Sequence, residues 1–178
     1  MRAECMTIHE SLRAKRLEGF FCETLLTVEG QPPRDDTAAR VRRALDLGMR
    51  ILSAPRAGST RILSPDVYAS DADESTRLER YAAICAAIEA RGLGYARMEK
   101  VAKSDSKQFA RAVAEWADGD SVAAHHGYAN DLFCTQDRAV KAGRQSVLHP
   151  AHRGWFRRVY GVEFVTLAEL AKRIERLD

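Results

Sequence analysis

The chain lacks an apolar run long enough to cross a membrane as a helix. Its longest stretches, such as Tyr81 to Ile88, fall far short of the roughly 20 residues a span requires. Met1 to Glu10 holds no apolar segment of the kind that marks a secretory signal, so the expectation is a soluble, cytoplasmic protein. The four cysteines, Cys5, Cys22, Cys85 and Cys134, are widely scattered, without a Cys-x-x-Cys pair. That spacing excludes a zinc module or a disulfide framework and predicts reduced thiols, mostly in the core. Charge of one sign is lacking too: 28 Lys plus Arg stand against 25 Asp plus Glu, a formal net charge of +3. Such a balance permits an RNA partner without demanding one, and leaves room for a basic face beside an acidic pocket.

What is present is 178 residues, 46% hydrophobic and 30% charged, enough to bury one ordinary core. A single domain over 1–178 is expected, with a loop insertion at about 54–74, where Gly58, Ser59, Pro65 and Asp66 are turn formers. Ile8, Leu12 and Leu17 fit an amphipathic helix from Met6 to Leu17, ended by Gly19. Phe20-Phe21-Cys22 reads as a buried strand or a tight entry to the next helix, Pro32-Pro33 marks a loop, and Thr37 suits the start of a helix over Ala38 to Leu47. Arg50 to Ala54 reads as a strand. Ser75 is placed to cap a helix with Leu78, Tyr81, Ile84, Cys85 and Ile88 inward, closed by Gly92.

A further helix is expected from about Ser106 to Trp116. Beyond it the pattern alternates: helix Ser121 to Tyr128, strand Asp131 to Thr135, helix Ala151 to Tyr160, strand Glu163 to Val165, helix Leu167 to Leu177. Alternation of this kind implies a parallel sheet. Thr166 with Glu169 forms a capping box for the last helix.

The chemically informative stretch runs from Asp118 to Ala139. It places Asp120 at an expected helix start and Asp137 just after a short apolar strand, and in an open parallel sheet these positions meet at one rim. Converging carboxylates suit a hard cation, Mg²⁺ or Mn²⁺, which bridges protein oxygens to phosphate and activates water.

Asp120 and Ala124, then Leu132-Phe133-Cys134, then Thr135-Gln136-Asp137, together resemble the third and fourth acidic positions of the PIN domain family. Tyr160 to Thr166 with its Leu-rich helix is similar to that family's last strand and helix, and Gly19 to Thr24 to the segment bearing its second acid, here Glu23. The similarity covers about the last 65 residues, is weaker near Glu23 and is absent between about 31 and 100. It implies a three-layer α/β/α sandwich with a mainly parallel central sheet, and Mg²⁺- or Mn²⁺-dependent hydrolysis of single-stranded RNA. It implies Glu23, Asp120 and Asp137 as metal ligands, Thr135 as a supporting hydroxyl and Asp118 as an auxiliary acid. Many members are toxins held by an antitoxin, so a protein partner of that kind, or a homodimer, belongs to the expectation.

The departure lies at the beginning. PIN domains open with a central strand ending in aspartate, whereas Met1 to Leu17 is helical in pattern and holds only Glu4 and Glu10, with Glu18 next. The alternative expectation is therefore a degenerate, non-catalytic PIN-like module that binds RNA or a protein. Taken singly, Asp120 also suits a helix cap, Asp137 a turn and Glu23 a solvated position. Arg138 and Lys141 beside the rim, and Arg153 and Arg157 near Trp155 and Phe156, are the candidate RNA contacts. His125-His126 cannot easily share a metal, and His149-Pro150-Ala151-His152 reads as a helix start.

Overall fold

The computed structural model describes residues 2–24, 35–54, 65–69, 73–93, 106–140 and 142–177. Their order is α1 (Arg2–Arg13), β1 (Phe20–Cys22), α2 (Asp35–Asp46), β2 (Arg50–Leu52), α3 (Glu74–Ala90), α4 (Ser106–Gly127), β3 (Leu132–Cys134), α5 (Pro150–Tyr160), β4 (Glu163–Val165) and α6 (Leu167–Ile174). The fold is a helix-rich mixture of α and β. No described helix is long and apolar enough to cross a membrane. Most of the expected insertion, like Lys141, lies outside the described residues.

The strands form two parallel pairs. Phe20, Phe21 and Cys22 register with Arg50, Ile51 and Leu52, and Leu132, Phe133 and Cys134 with Glu163, Phe164 and Val165. Tyr68 bridges Ile51 on the far side of β2. Successive residues of a parallel strand bond to opposite sides. On β1 the Gly19 carbonyl and Glu23 N–H face β2, which turns the backbone groups of Phe20 and Cys22 the other way. On β3 the Thr135 N–H donates to Val165, so Leu132 and Cys134 turn away from β4. Among the described residues no strand pairs along either of these edges.

Several helix boundaries depart from expectation, beginning with α1, which runs over Arg2–Arg13 and not Met6 to Leu17. Helix α4 is continuous where two helices were expected, because its packing on α3 outweighs the roughly 1 kcal/mol that Gly119 costs in a helix interior. At the crossing, a Cβ on Gly127 would lie 3.1 Å from the Arg77 carbonyl, so a small residue lets the two helices approach. Helix α3 is capped by Asp73, which accepts from the Thr76 N–H at 3.2 Å, not by Ser75. Helix α2 begins at Asp35, placing Thr37 inside it. The capping box of Thr166 and Glu169 forms as its sequence requires.

One core cluster gathers around Ile84, Ile88, Val122, Val147 and Phe156, between α3, α4, α5 and the strands. A second joins Ile8 and Leu12 of α1 to Val165, Leu170 and Ile174. Phe156 is fully buried, with ring centroids 5.8 Å from Phe164 and 4.5 Å from Trp155. Val159 and Leu177 are exposed. Phe156→Ala should cost about 3–5 kcal/mol by urea unfolding, whereas Val159→Ala should stay within about 0.5 kcal/mol.

Candidate functional site

The carboxyl end of β1 delivers Glu23 and Thr24 into the interior, where both are buried. Thr24 Oγ1 donates to one oxygen of Asp120 and the Tyr81 hydroxyl to the other, both at close approach. Asp120 is 3% exposed, so these hydroxyls replace the water an ionised carboxylate would otherwise bind. The Cys22 thiol donates to Thr24 Oγ1 at 3.5 Å, and burial, with the Asp120 charge second, pushes that thiol up to about 11. Burial and then the same charge raise the Tyr81 hydroxyl well above the usual phenol range. Beside this cluster the Tyr68 hydroxyl donates to Glu23 Oε1 at 3.0 Å, while Glu23 Oε2 is buried without a partner.

A second set of acids forms where the loop after β3 meets α4. Asp137 donates its N–H to Thr135 Oγ1 at 3.1 Å and accepts from the Ala139 N–H at 2.6 Å. The Arg153 guanidinium holds the Asp137 carbonyl at 2.7 Å and the Leu148 carbonyl at 3.4 Å. Across from this turn, burial lifts Asp118 to about 7, with the charges of Glu115 and Asp137 adding to it. Burial also raises Glu115, and Asp137 raises it further against a hydrogen bond from Ser146. Glu115 Oε2 is buried and unpartnered.

Asp120 therefore lies deep inside α4 and not at a helix start. Side chains two positions apart on a helix project roughly 200° apart, so Asp118 and Asp120 face different surroundings: Asp118 that of Glu115 and Asp137, Asp120 that of Thr24 and Tyr81. Thr135 and Asp137 stand together as expected. Arg138 and Arg157 are exposed; the hydrogen bond from Arg173, with the Arg157 charge a lesser contributor, lowers the Glu163 carboxyl. Arg153 was expected to face RNA, but its guanidinium is committed to two loop carbonyls. His149 caps α5 through Nδ1, and His152 Nε2 meets the Arg144 carbonyl at 2.7 Å, consistent with a helix start. Cys134 is exposed, contrary to the expected core thiol.

Glu115, Thr24, Tyr68 and Tyr81 were not anticipated. Glu115 precedes Asp118 by one helical turn, a signal visible only once α4 is continuous. Among the described residues no three His, Cys, Asp or Glu side chains stand close enough to hold an ion as they are. The donor chemistry of Glu115, Asp118 and Asp137 nevertheless fits a hard cation completed by water: all three offer oxygens, two carboxyls are pushed up by burial and then by neighbouring charge, and one buried oxygen lacks a partner.

Asp118 has a native pKa of about 7 against an ordinary 3.8, so the folded chain holds this proton more tightly than the unfolded one. Its contribution to stability is present at low pH and lost as pH rises through that window. In metal-free protein, Asp118→Asn should raise the urea midpoint more at about pH 8 than at about pH 5. Tyr81→Phe should cost about 1.5–3 kcal/mol at both values, since it removes a donor to a buried charge. The chain matches no protein-family model, no curated protein and no solved structure.

Proposed function

We propose that the chain is a PIN-type endoribonuclease that uses Mg²⁺ or Mn²⁺ to hydrolyse phosphodiester bonds of single-stranded RNA, with a three-layer α/β/α arrangement. The observation that carries this reading is the gathering of Glu115, Asp118 and Asp137 at the junction of α4 and the loop after β3, where burial first, and neighbouring carboxylate charge after it, hold Glu115 and Asp118 above the usual carboxylate range. Like charges held together and partly buried are costly unless a cation joins them. Glu115, Asp118 and Asp137 would hold the ion, which when bound supplies an activated water and charge neutralisation at the phosphate.

Thr135 and Arg153 fix the turn that presents Asp137, and exposed Arg138 stands next in the chain to receive a phosphate. On this reading Glu23 and Asp120, expected as ligands, support the site from beneath: Asp120 ties β1 to α3 and α4, and Glu23 keeps a free oxygen in the same interior. The toxin-like role, with an antitoxin-like partner, rests on the family resemblance alone.

A second reading, a PIN-like module that binds RNA or a protein without cutting, is favoured by the edges of β1 and β3, along which no strand pairs among the described residues. The family's central strand and its aspartate would belong there. One experiment separates the two: cleavage of labelled single-stranded RNA with Mn²⁺, with EDTA, and by an Asp118→Asn, Asp137→Asn variant. The nuclease reading expects Mn²⁺-dependent cutting that EDTA abolishes and the variant reduces by about 100-fold or more. A folded wild-type chain that binds the RNA and leaves it intact would establish the module instead.

A further inference from the structure

Helix α4 ends in His125, His126 and Gly127, and the turn beyond it carries Asn130. His125, His126 and Asn130 line a cavity of about 210 Å³ with Arg80 of α3 and with Tyr160, Gly161 and Val162, where α5 passes into β4. The lining contains no Asp or Glu. Gly161 closes α5 at φ 69°, a left-handed turn that leads straight into β4.

His125 is 5% exposed and its ring packs edge-on against Phe133 at 5.4 Å. Its Nε2 is buried and has no hydrogen-bond partner. A buried ring nitrogen left without a partner costs free energy unless a bound group satisfies it. His126 stands edge-on to Tyr160 at 5.6 Å and bonds the Tyr160 backbone, which fixes its ring at the cavity wall. The Arg80 charge acts directly on His126 and depresses its protonation, second to burial. Cation-forming groups are thus held together with no carboxylate in the lining.

From this arrangement we infer that the Arg80, His125, His126 and Asn130 cavity binds the phosphate group of a small phosphomonoester. The guanidinium supplies a fork of N–H donors, the Asn130 amide and the His126 ring at the wall supply neutral ones, and a dianionic phosphate offers three oxygens to receive them. The volume is larger than a lone carboxylate needs and accommodates a phosphate with a short organic group. The site is independent of the acidic one. It lies at the end of α4 that leads into β3, whereas Asp137 follows that strand.

Inorganic phosphate, and then glycerol phosphate, titrated into the full chain at constant ionic strength provides the test, read by the imidazole and Asn130 NMR signals. Both ligands should shift the His125, His126 and Asn130 signals saturably. Arg80→Gln should weaken binding by about tenfold or more, the usual consequence of losing a charged hydrogen-bond donor. Arg42→Gln, which removes an exposed arginine of α2, should leave affinity unchanged. An absent or unsaturable response in the wild-type chain would overturn the assignment, as would equal weakening by the two substitutions, which would mark general charge screening.

Discussion

The buried carboxylate of Asp120 is the contact on which the rest of the arrangement depends. Its two oxygens receive hydroxyls from Thr24, just past β1, and from Tyr81, in the middle of α3, so one side chain joins three segments far apart in the sequence. An isolated ionised group would not tolerate such burial, and loss of either hydroxyl exposes the other members of the cluster to an unsolvated charge. Short strands need this kind of anchor. A three-residue parallel ladder supplies few hydrogen bonds, and β1 is held in place as much by Asp120 as by β2.

That commitment determines which acids remain available for chemistry. Asp118, one position beyond Ala117 on α4, points away from the Asp120 cluster and shares its field with Glu115 and Asp137. Two kinds of carboxylate therefore occupy one helix. Asp120 is satisfied by hydroxyl donors and has a structural task, while Asp118, through burial first and its neighbours' charges second, prefers to hold a proton. The turn at Asp137 completes the set because Thr135 and Arg153 hold its backbone, leaving the side chain turned into the loop.

The strands Phe20–Cys22 and Glu163–Val165 and the capping box at Thr166 were legible in the sequence, because short apolar runs and a reciprocal cap are local signals. Parallel pairing was legible as well, from the alternation of strands with helices. The continuity of α4 was not. Asp118-Gly119-Asp120 carries the chemistry of a helix start, and only packing against α3 overrides it. Leu78 was assigned inward by its spacing, yet Arg77 is buried in its place, its guanidinium lying 5.2 Å over the Tyr128 ring. An arginine that covers an aromatic face behaves as an apolar side chain along its stem, which a pattern of polar and apolar letters does not register. At the site, Asp137 with Thr135 was legible as a local motif, whereas Tyr81, Tyr68 and Thr24 belong to contacts between distant segments and leave no local trace.

Helix α4 also separates two surfaces of opposite character. Asp118 and His126 are eight residues apart on it, about 12 Å along the axis at 1.5 Å per residue. Because the chain passes from the end of α4 directly into β3, the histidine end lies where that strand begins, and Asp137 lies just past where it finishes. The same continuity that defeated the local helix-start signal thus places acids at one level of the fold and Arg80, His125, His126 and Asn130 at another. Had the chain broken at Gly119, as its sequence suggests, the two levels would be free to move relative to each other. A single rigid helix fixes their spacing, and packing against α3, allowed by the missing side chain of Gly127, keeps that helix whole.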